Sequence, residues 1–92
     1  TQDYHKAMAW WEQGAKYGSP ESEYSLGALF ELGQGVEQDF QKALYWYRAA
    51  ADHGNGLAIT RVASLYEKGH GNPDDPDKVM KWAFDMASKA KP

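Results

Sequence analysis

The sequence predicts an all-α fold, an αα-hairpin solenoid of five helices and about two and a half repeats of 36 residues. Three observations support this fold class. The chain aligns with itself under one ungapped shift of 36 residues, apolar residues recur at helical spacing, and the breaks between apolar stretches carry glycine or proline. Such an array is stable because each unit covers an apolar face of its neighbour.

The internal repeat covers most of the chain. Identical pairs under the shift are Asp3/Asp39, Lys6/Lys42, Ala7/Ala43, Trp10/Trp46, Ala15/Ala51, Gly18/Gly54, Leu29/Leu65, Glu31/Glu67, Gly33/Gly69 and Gly35/Gly71. A weaker third copy aligns Asp75, Lys78, Trp82 and Ala87 with Asp39, Lys42, Trp46 and Ala51. The chain therefore divides into a partial unit at 1–18, a full unit at 19–54 and a last unit at 55–92 with a degenerate capping helix.

The first two helices are bounded by polar and glycine signals. The first follows Asp3 and ends at Gly18, and the second begins at Ser19-Pro20 and ends at Gly33. Asp and Ser are good N-caps, proline suits the first helical position, and glycine adopts the left-handed conformation that follows a last helical turn. The predicted helices span 4–17, 20–32, 40–53, 56–68 and 76–90.

The third and fourth helices repeat these signals. The third follows Asp39 and ends at Gly54, and the fourth follows Asn55 and ends at Gly69. We call the first helix of each unit a first-type helix and the second a second-type helix. The first-type helices of the two longer units carry apolar or small residues at i, i+4, i+7 and i+8, the stripe by which a helix packs on a core. These stripes are Ser22, Leu26, Leu29 and Phe30 in the second helix and Ala58, Val62, Leu65 and Tyr66 in the fourth.

The fifth helix is predicted from the Asp75-Pro76 start signal and from the recurring tryptophan. Trp10, Trp46 and Trp82 hold one repeat position, at the centre of the second helix of each unit. A recurring position indicates a recurring packing role, because each buried Trp contributes upward of roughly 150 Å² to a small core. We therefore predict that these three side chains pack in the core.

The residues at 22–54 resemble a known family pattern. The features are Leu26-Gly27, Leu29-Phe30, Gly33-x-Gly35-Val36, Asp39-Phe40, Lys42-Ala43, Trp46-Tyr47, Ala50-Ala51 and a final Gly54. This pattern resembles the Sel1-like repeat, a relative of the tetratricopeptide repeat with a glycine-bearing loop between its helices. The resemblance implies a right-handed solenoid that works as a non-catalytic adaptor for other proteins. The third copy departs from the pattern at Val79, Ala83, Pro76 and Ala90.

Composition and motifs argue against several other functions. The chain has no cysteine and a net charge of −3 without a basic stripe, which disfavours thiol chemistry, nucleic-acid binding and adhesion to anionic membranes. No apolar run approaches the roughly 18 residues of a membrane span. His5, His53 and His70 occupy different repeat positions, and the acidic run at 72–77 lacks the calcium-loop pattern. We predict no enzyme activity, no metal and no cofactor.

The first helix of each unit would line the concave surface if the hairpins stack as in tetratricopeptide proteins. The residues predicted on that surface are Glu21, Tyr24, Ala28, Glu31, Leu57, Thr60, Ser64 and Glu67. Hydroxyl groups in the middle and carboxylates at the ends suit a peptide or helix that carries Lys or Arg, with Tyr24 as its anchor. A solvated helix face without a partner is the alternative.

A second candidate surface lies at the first helix, which has the pattern of the second helix of a unit. Part of its apolar stripe would lack a cover, with Met8 and Trp11 as possible contacts. A second copy of the chain, a partner protein or a missing N-terminal helix could cover it. The prediction is thus a protein–protein interaction module, and the alternative is an inhibitor or immunity-type regulator that neutralises a single enzyme or toxin.

Overall fold

The computed structural model describes residues 4–70 and 76–89, and the described chain forms five α-helices. They are α1 (Tyr4–Lys16), α2 (Pro20–Leu32), α3 (Phe40–Asp52), α4 (Gly56–Glu67) and α5 (Pro76–Lys89). No strand occurs among the described residues. The predicted all-α architecture is confirmed. Helix α2 ends at the predicted residue. Helices α1, α3 and α4 each end one residue earlier than predicted, because the next residue belongs to the turn or cap.

Polar side chains begin the three helices whose N-caps are described. The Asp39 carboxylate accepts from the backbone N–H groups of Gln41 and Lys42, at 3.0 and 3.1 Å. The Asn55 side chain accepts from Leu57 N at 3.0 Å, and Ser19 Oγ accepts from the N–H of Ser22, the third residue of its helix, at 3.4 Å. These bonds satisfy N–H groups that have no partner within the helix. Asp3 and Asp75 lie outside the described residues.

Glycine ends α2 as predicted. Gly33 has a φ of 69° and its N–H donates to Leu29 O at 2.8 Å. This left-handed conformation satisfies one of the last carbonyl groups of the helix and turns the chain away from its axis. The other glycines predicted to end helices, Gly18, Gly54 and Gly69, also have positive φ values.

The core lies mainly between α2, α3 and α4, and consecutive helices pack on one another. Tyr47 on α3 is its largest fully buried side chain and is only 1% exposed. The buried cluster comprises Phe30, Ala43, Leu44, Tyr47, Ala50, Ala51, Ala58, Val62 and Leu65. The apolar stripes predicted on α2 and α4 therefore pack against neighbouring helices, as expected of a stacked array.

The three equivalent tryptophans do not share one environment. Trp46 and Trp82 are partly buried and pack against the core cluster, as predicted. Trp10 is 77% exposed, so the predicted core position is wrong for this residue. Helices α2 and α4 precede and pack on the helices that carry Trp46 and Trp82. The described residues include no such helix before α1.

Candidate functional site

The predicted surface residues lie on α2 and α4, and we call this surface the α2/α4 face. Glu21, Leu57, Thr60 and Glu67 are exposed, and Tyr24, Ala28, Glu31 and Ser64 are half-buried. One hydrogen bond joins the two helices across this face, between Tyr24 and Arg61. Among the described residues, the other predicted members are not hydrogen-bonded from one helix to the other.

Arg61 is the main residue that the sequence interpretation missed. Its Nε donates to the Tyr24 hydroxyl at 3.0 Å, which holds an exposed guanidinium over α2. The repeat hides this residue because its equivalent one unit earlier is Ser25. The sequence does contain one signal for this contact. Tyr24 and Arg61 are 37 residues apart, one more than the repeat length, which places them at adjacent positions on α2 and α4. The face therefore carries a central positive charge as well as carboxylates.

Glu31 is fixed from beneath by the buried Tyr47. The Tyr47 hydroxyl donates to Glu31 Oε1 at 2.6 Å, and the Tyr24 ring packs on the Tyr47 ring with centroids 5.3 Å apart. Burial first, and then the hydrogen bond and charge of Glu31, raise the pKa of Tyr47 above the ordinary range. The phenol therefore stays protonated and remains a donor. Tyr24 and Glu31 are thus parts of a packed cluster as well as surface residues.

A buried carboxylate holds the C-terminal end of α3. Glu23 on α2 is 3% exposed, and its Oε1 lies 2.7 Å from Nδ1 of the half-exposed His53. The hydrogen bond to Glu23, and then its charge, raise the pKa of His53 above the ordinary value of 6.5. His53 caps α3, where a positive charge also complements the helix dipole. Its partner Glu23 was not foreseen.

This pair makes stability depend on pH. The raised pKa of His53 adds stability that is fully present below pH 6.5 and is lost as pH rises through the folded-state pKa. Urea denaturation at pH 6 and pH 8.5 should show a larger loss for the native chain than for His53→Gln. That difference removes the contributions of His5 and His70, which both proteins share. Equal losses in the two proteins would contradict the role of this pair.

Met8 and Trp11, the two possible contacts predicted on α1, are both partly exposed. Met8 packs against the core and Trp11 is half-buried. The most exposed large apolar side chains of this region are Trp10 on α1 and Tyr17 in the turn after it, at 77% and 78%. With Gln13 and Gly14 they line an open hollow of about 200 Å³. The hollow therefore joins the two exposed aromatic side chains into one surface.

The described residues show one further groove and no cluster of metal ligands. An open groove of about 330 Å³ follows the outer face of α3 beside Tyr45 and Arg48. Within residues 4–70 and 76–89, no three or more His, Asp or Glu side chains converge as metal ligands. Within the same ranges, no helix has the length and apolar character to cross a bilayer.

Comparisons with known proteins agree with the repeat register. The Sel1 repeat family model matches residues 1–19, 20–55 and 56–90. The crystal structure of a Sel1 repeat protein from Oxalobacter formigenes superimposes with a TM-score of 0.80 and 28% sequence identity, over 98% of this chain. The match covers 36% of that protein, so this chain spans about a third of its length. A comparison with curated proteins gave no match. The three successive repeat matches, which together cover nearly every residue, show that the chain belongs to the Sel1 repeat family.

Proposed function

We propose that this chain is a non-catalytic interaction module that binds a segment of another protein on the α2/α4 face. Sel1 repeat proteins generally act as protein–protein interaction modules and are generally non-catalytic. The observation that carries the proposal is the bond between Tyr24 and Arg61, because it holds a charged group exposed at the junction of two units. A side chain held in advance loses less conformational entropy when a partner binds.

The arrangement of charges indicates the chemistry of the partner. Arg61 can donate to a carboxylate or backbone carbonyl of a bound segment through its terminal nitrogens, since Nε is already bonded to Tyr24. Glu31 and Glu67 occupy equivalent positions near the C-terminal ends of α2 and α4 and suit a Lys or Arg. We infer a partner segment with an acceptor at the centre of the face and a basic side chain toward its Glu31/Glu67 end.

Exposed apolar area adds to this face. Leu57 is the second residue of α4 and is 68% exposed, and the Tyr24 ring on α2 is half-buried. Tyrosine and leucine side chains supply apolar contact area while Arg61 and the carboxylates set orientation. The combination supports recognition of a helix or extended peptide.

The proposal is tested by comparative affinity capture from the source cells, followed by mass spectrometry. The face variant is Arg61→Gln with Glu67→Gln, which removes two exposed charges of opposite sign. The matched control is Lys16→Gln with Glu12→Gln, because these residues on α1 are exposed and their removal changes charge by the same amount. We expect at least one protein that the native chain and the control retain and the face variant loses by tenfold or more, about 1.4 kcal/mol.

The choice of residues keeps the fold intact. Tyr24→Ala or Glu31→Lys would disturb the packed cluster around Tyr47, so loss of binding in those variants would be ambiguous. Arg61 and Glu67 are exposed, and circular dichroism should show native helix content in both double variants. Identical sets of captured proteins for the face variant and the control would contradict binding at the α2/α4 face.

A further inference from the structure

The arginine of the α2/α4 face is held by a phenol rather than by a carboxylate. Arg61 Nε donates to the Tyr24 hydroxyl at 3.0 Å, and no carboxylate of the described residues forms an ion pair with Arg61. A phenol is neutral, so it positions the guanidinium without cancelling its positive charge. The hydrogen bond to Tyr24 raises the pKa of Arg61 above its ordinary value, so the side chain stays a cation.

Both side chains keep hydrogen-bond donors for another group. A guanidinium has N–H groups on all three nitrogens, and the bond to Tyr24 uses only the one on Nε. The Tyr24 oxygen accepts that bond, so its own O–H proton is left to donate, and no described residue accepts it. A hydroxyl that accepts from a cation is polarised into a stronger donor. The Tyr24 O–H and the terminal N–H groups of Arg61 therefore lie side by side where α2 meets α4.

A carboxylate matches this set of donors better than a backbone carbonyl does. Both carboxylate oxygens can accept, so one group can bond to the guanidinium and to the phenol at the same time. Its negative charge also complements the cation, and charge-assisted hydrogen bonds are roughly twice as strong as neutral ones. A carbonyl is neutral and has a single oxygen to share among the same donors.

The other charges of the face limit the charge of the group that fits there. Among its described residues, the face carries Arg61 as its one cation and Glu21, Glu31 and Glu67 as carboxylates. A phosphoryl group carries about two negative charges at neutral pH and needs more than one cation, whereas a carboxylate needs only Arg61. Glu31 Oε1 already accepts from Tyr47 at 2.6 Å, which leaves its other oxygen for a basic side chain.

We propose that the α2/α4 face recognises its partner segment through the side-chain carboxylate of an aspartate or glutamate, which the Tyr24 hydroxyl and the Arg61 guanidinium bind together. This inference rests on the proposed function and narrows the bound acceptor to one chemical group. Because Tyr24 already positions the guanidinium, binding costs less conformational entropy. Basic side chains of the same segment bind Glu31 and Glu67.

Selection of random peptides on the native chain tests the proposal. The peptides to sequence are those that bind the control, Lys16→Gln with Glu12→Gln, and fail to bind Arg61→Gln with Glu67→Gln. We expect an aspartate or glutamate at one fixed position in them. Changing that residue to its amide should weaken binding to the native chain tenfold or more. The same change should matter much less for binding to Arg61→Gln, because the partner of the carboxylate is then absent.

The Tyr24 hydroxyl can be tested separately from the charge. Tyr24→Phe keeps the ring that packs on Tyr47 and removes only the hydroxyl, so the charge of the face is unchanged. We expect the acidic peptides to bind this variant tenfold or more weakly, as for loss of a hydrogen bond to a charged group. Tyr45→Phe is the matched control, since it removes a hydroxyl from a side chain 66% exposed on α3. Equal binding by the two variants would overturn the joint role of Tyr24.

The remaining outcomes separate this inference from the proposed function. Peptides that require Arg61 and Glu67 but no aspartate or glutamate would overturn the carboxylate site and leave the interaction module intact. Peptides whose binding is lost only when the C-terminal carboxylate is amidated would overturn it as well, because the bound group would then be the chain end. If the Arg61 and Glu67 variant lost no peptide, binding at the α2/α4 face itself would be contradicted and both proposals would fail.

Discussion

Replacing Tyr47 with alanine is expected to lower the free energy of unfolding by about 3–5 kcal/mol. Tyr47 is the largest fully buried side chain, and its ring separates Gly27 from Tyr24 while its hydroxyl bonds to Glu31. The substitution opens a cavity between α2 and α3 and leaves a half-buried carboxylate without its donor. Since small domains are stable by only about 5–15 kcal/mol, the loss is a large fraction of the total.

Urea denaturation followed by circular dichroism measures this loss, and two further variants apportion it. Tyr47→Phe keeps the ring and removes the bond to Glu31, which should cost about 1.5–3 kcal/mol, as for hydrogen bonds to charged groups. Tyr45→Ala is the control, because that side chain is 66% exposed on the same helix. It should cost about 1 kcal/mol or less. If Tyr47→Ala cost no more than Tyr45→Ala, the central role of Tyr47 in the core would be wrong.

The second large effect is expected for Gly27→Ala, which should destabilise the chain by about 2 kcal/mol although alanine favours helices. A Cβ atom at Gly27 would lie 2.6 Å from Tyr47 Cδ1 and 2.7 Å from Cε1. The ring cannot retreat easily, because Tyr24 packs on it and Glu31 holds its hydroxyl. Gly56→Ala is the control: a Cβ there meets no atom within 4 Å, so its stability should change by about 0.5 kcal/mol or less.

The next hairpin of the same chain shows how this clash can be relieved. The repeat shift carries Gly27 onto Ala63 and Tyr47 onto Ala83, so a methyl group at the first position occurs together with a small residue at the second. The double variant Gly27→Ala with Tyr47→Ala should therefore cost less than the sum of the single variants, by about 1–3 kcal/mol. Additive costs would show that the two positions do not compete for the same space.

Residues in the loops and at helix ends account for most of what could be predicted. Ser19, Asp39 and Asn55 cap their helices, as their polar side chains predict. Gly33 ends α2, as predicted from the ease with which glycine adopts a positive φ. The family resemblance carried by the repeat also led to the correct fold and to a family whose members generally act as protein–protein interaction modules. These signals act within a few residues of chain and are copied in each unit, so a single sequence contains them twice or three times.

The surface was harder to predict, and Trp10 and Arg61 show why. Repeat position alone predicted a buried Trp10, but burial depends on which helices pack beside a residue. Helices α2 and α4 precede and pack on the helices of Trp46 and Trp82, and the described residues include no such helix before α1. The residue equivalent to Arg61 in the preceding unit is Ser25, so the repeat did not single out Arg61. The predicted contact residues on the α2/α4 face and the proposed partner chemistry stay predictions until the variants are measured.

The sequence by itself determined the number of helices, their limits within about one residue, the 36-residue step and the family, because capping, turn and periodicity signals are local and repeated. Only the tertiary structure decided that Tyr24 meets Arg61, that a buried Glu23 binds His53, and that Tyr47 fills the space beside Gly27. These partners are 20 to 37 residues apart in the chain. Their contact depends on how two helices cross and on the reach of each side chain, and a periodic pattern contains neither quantity.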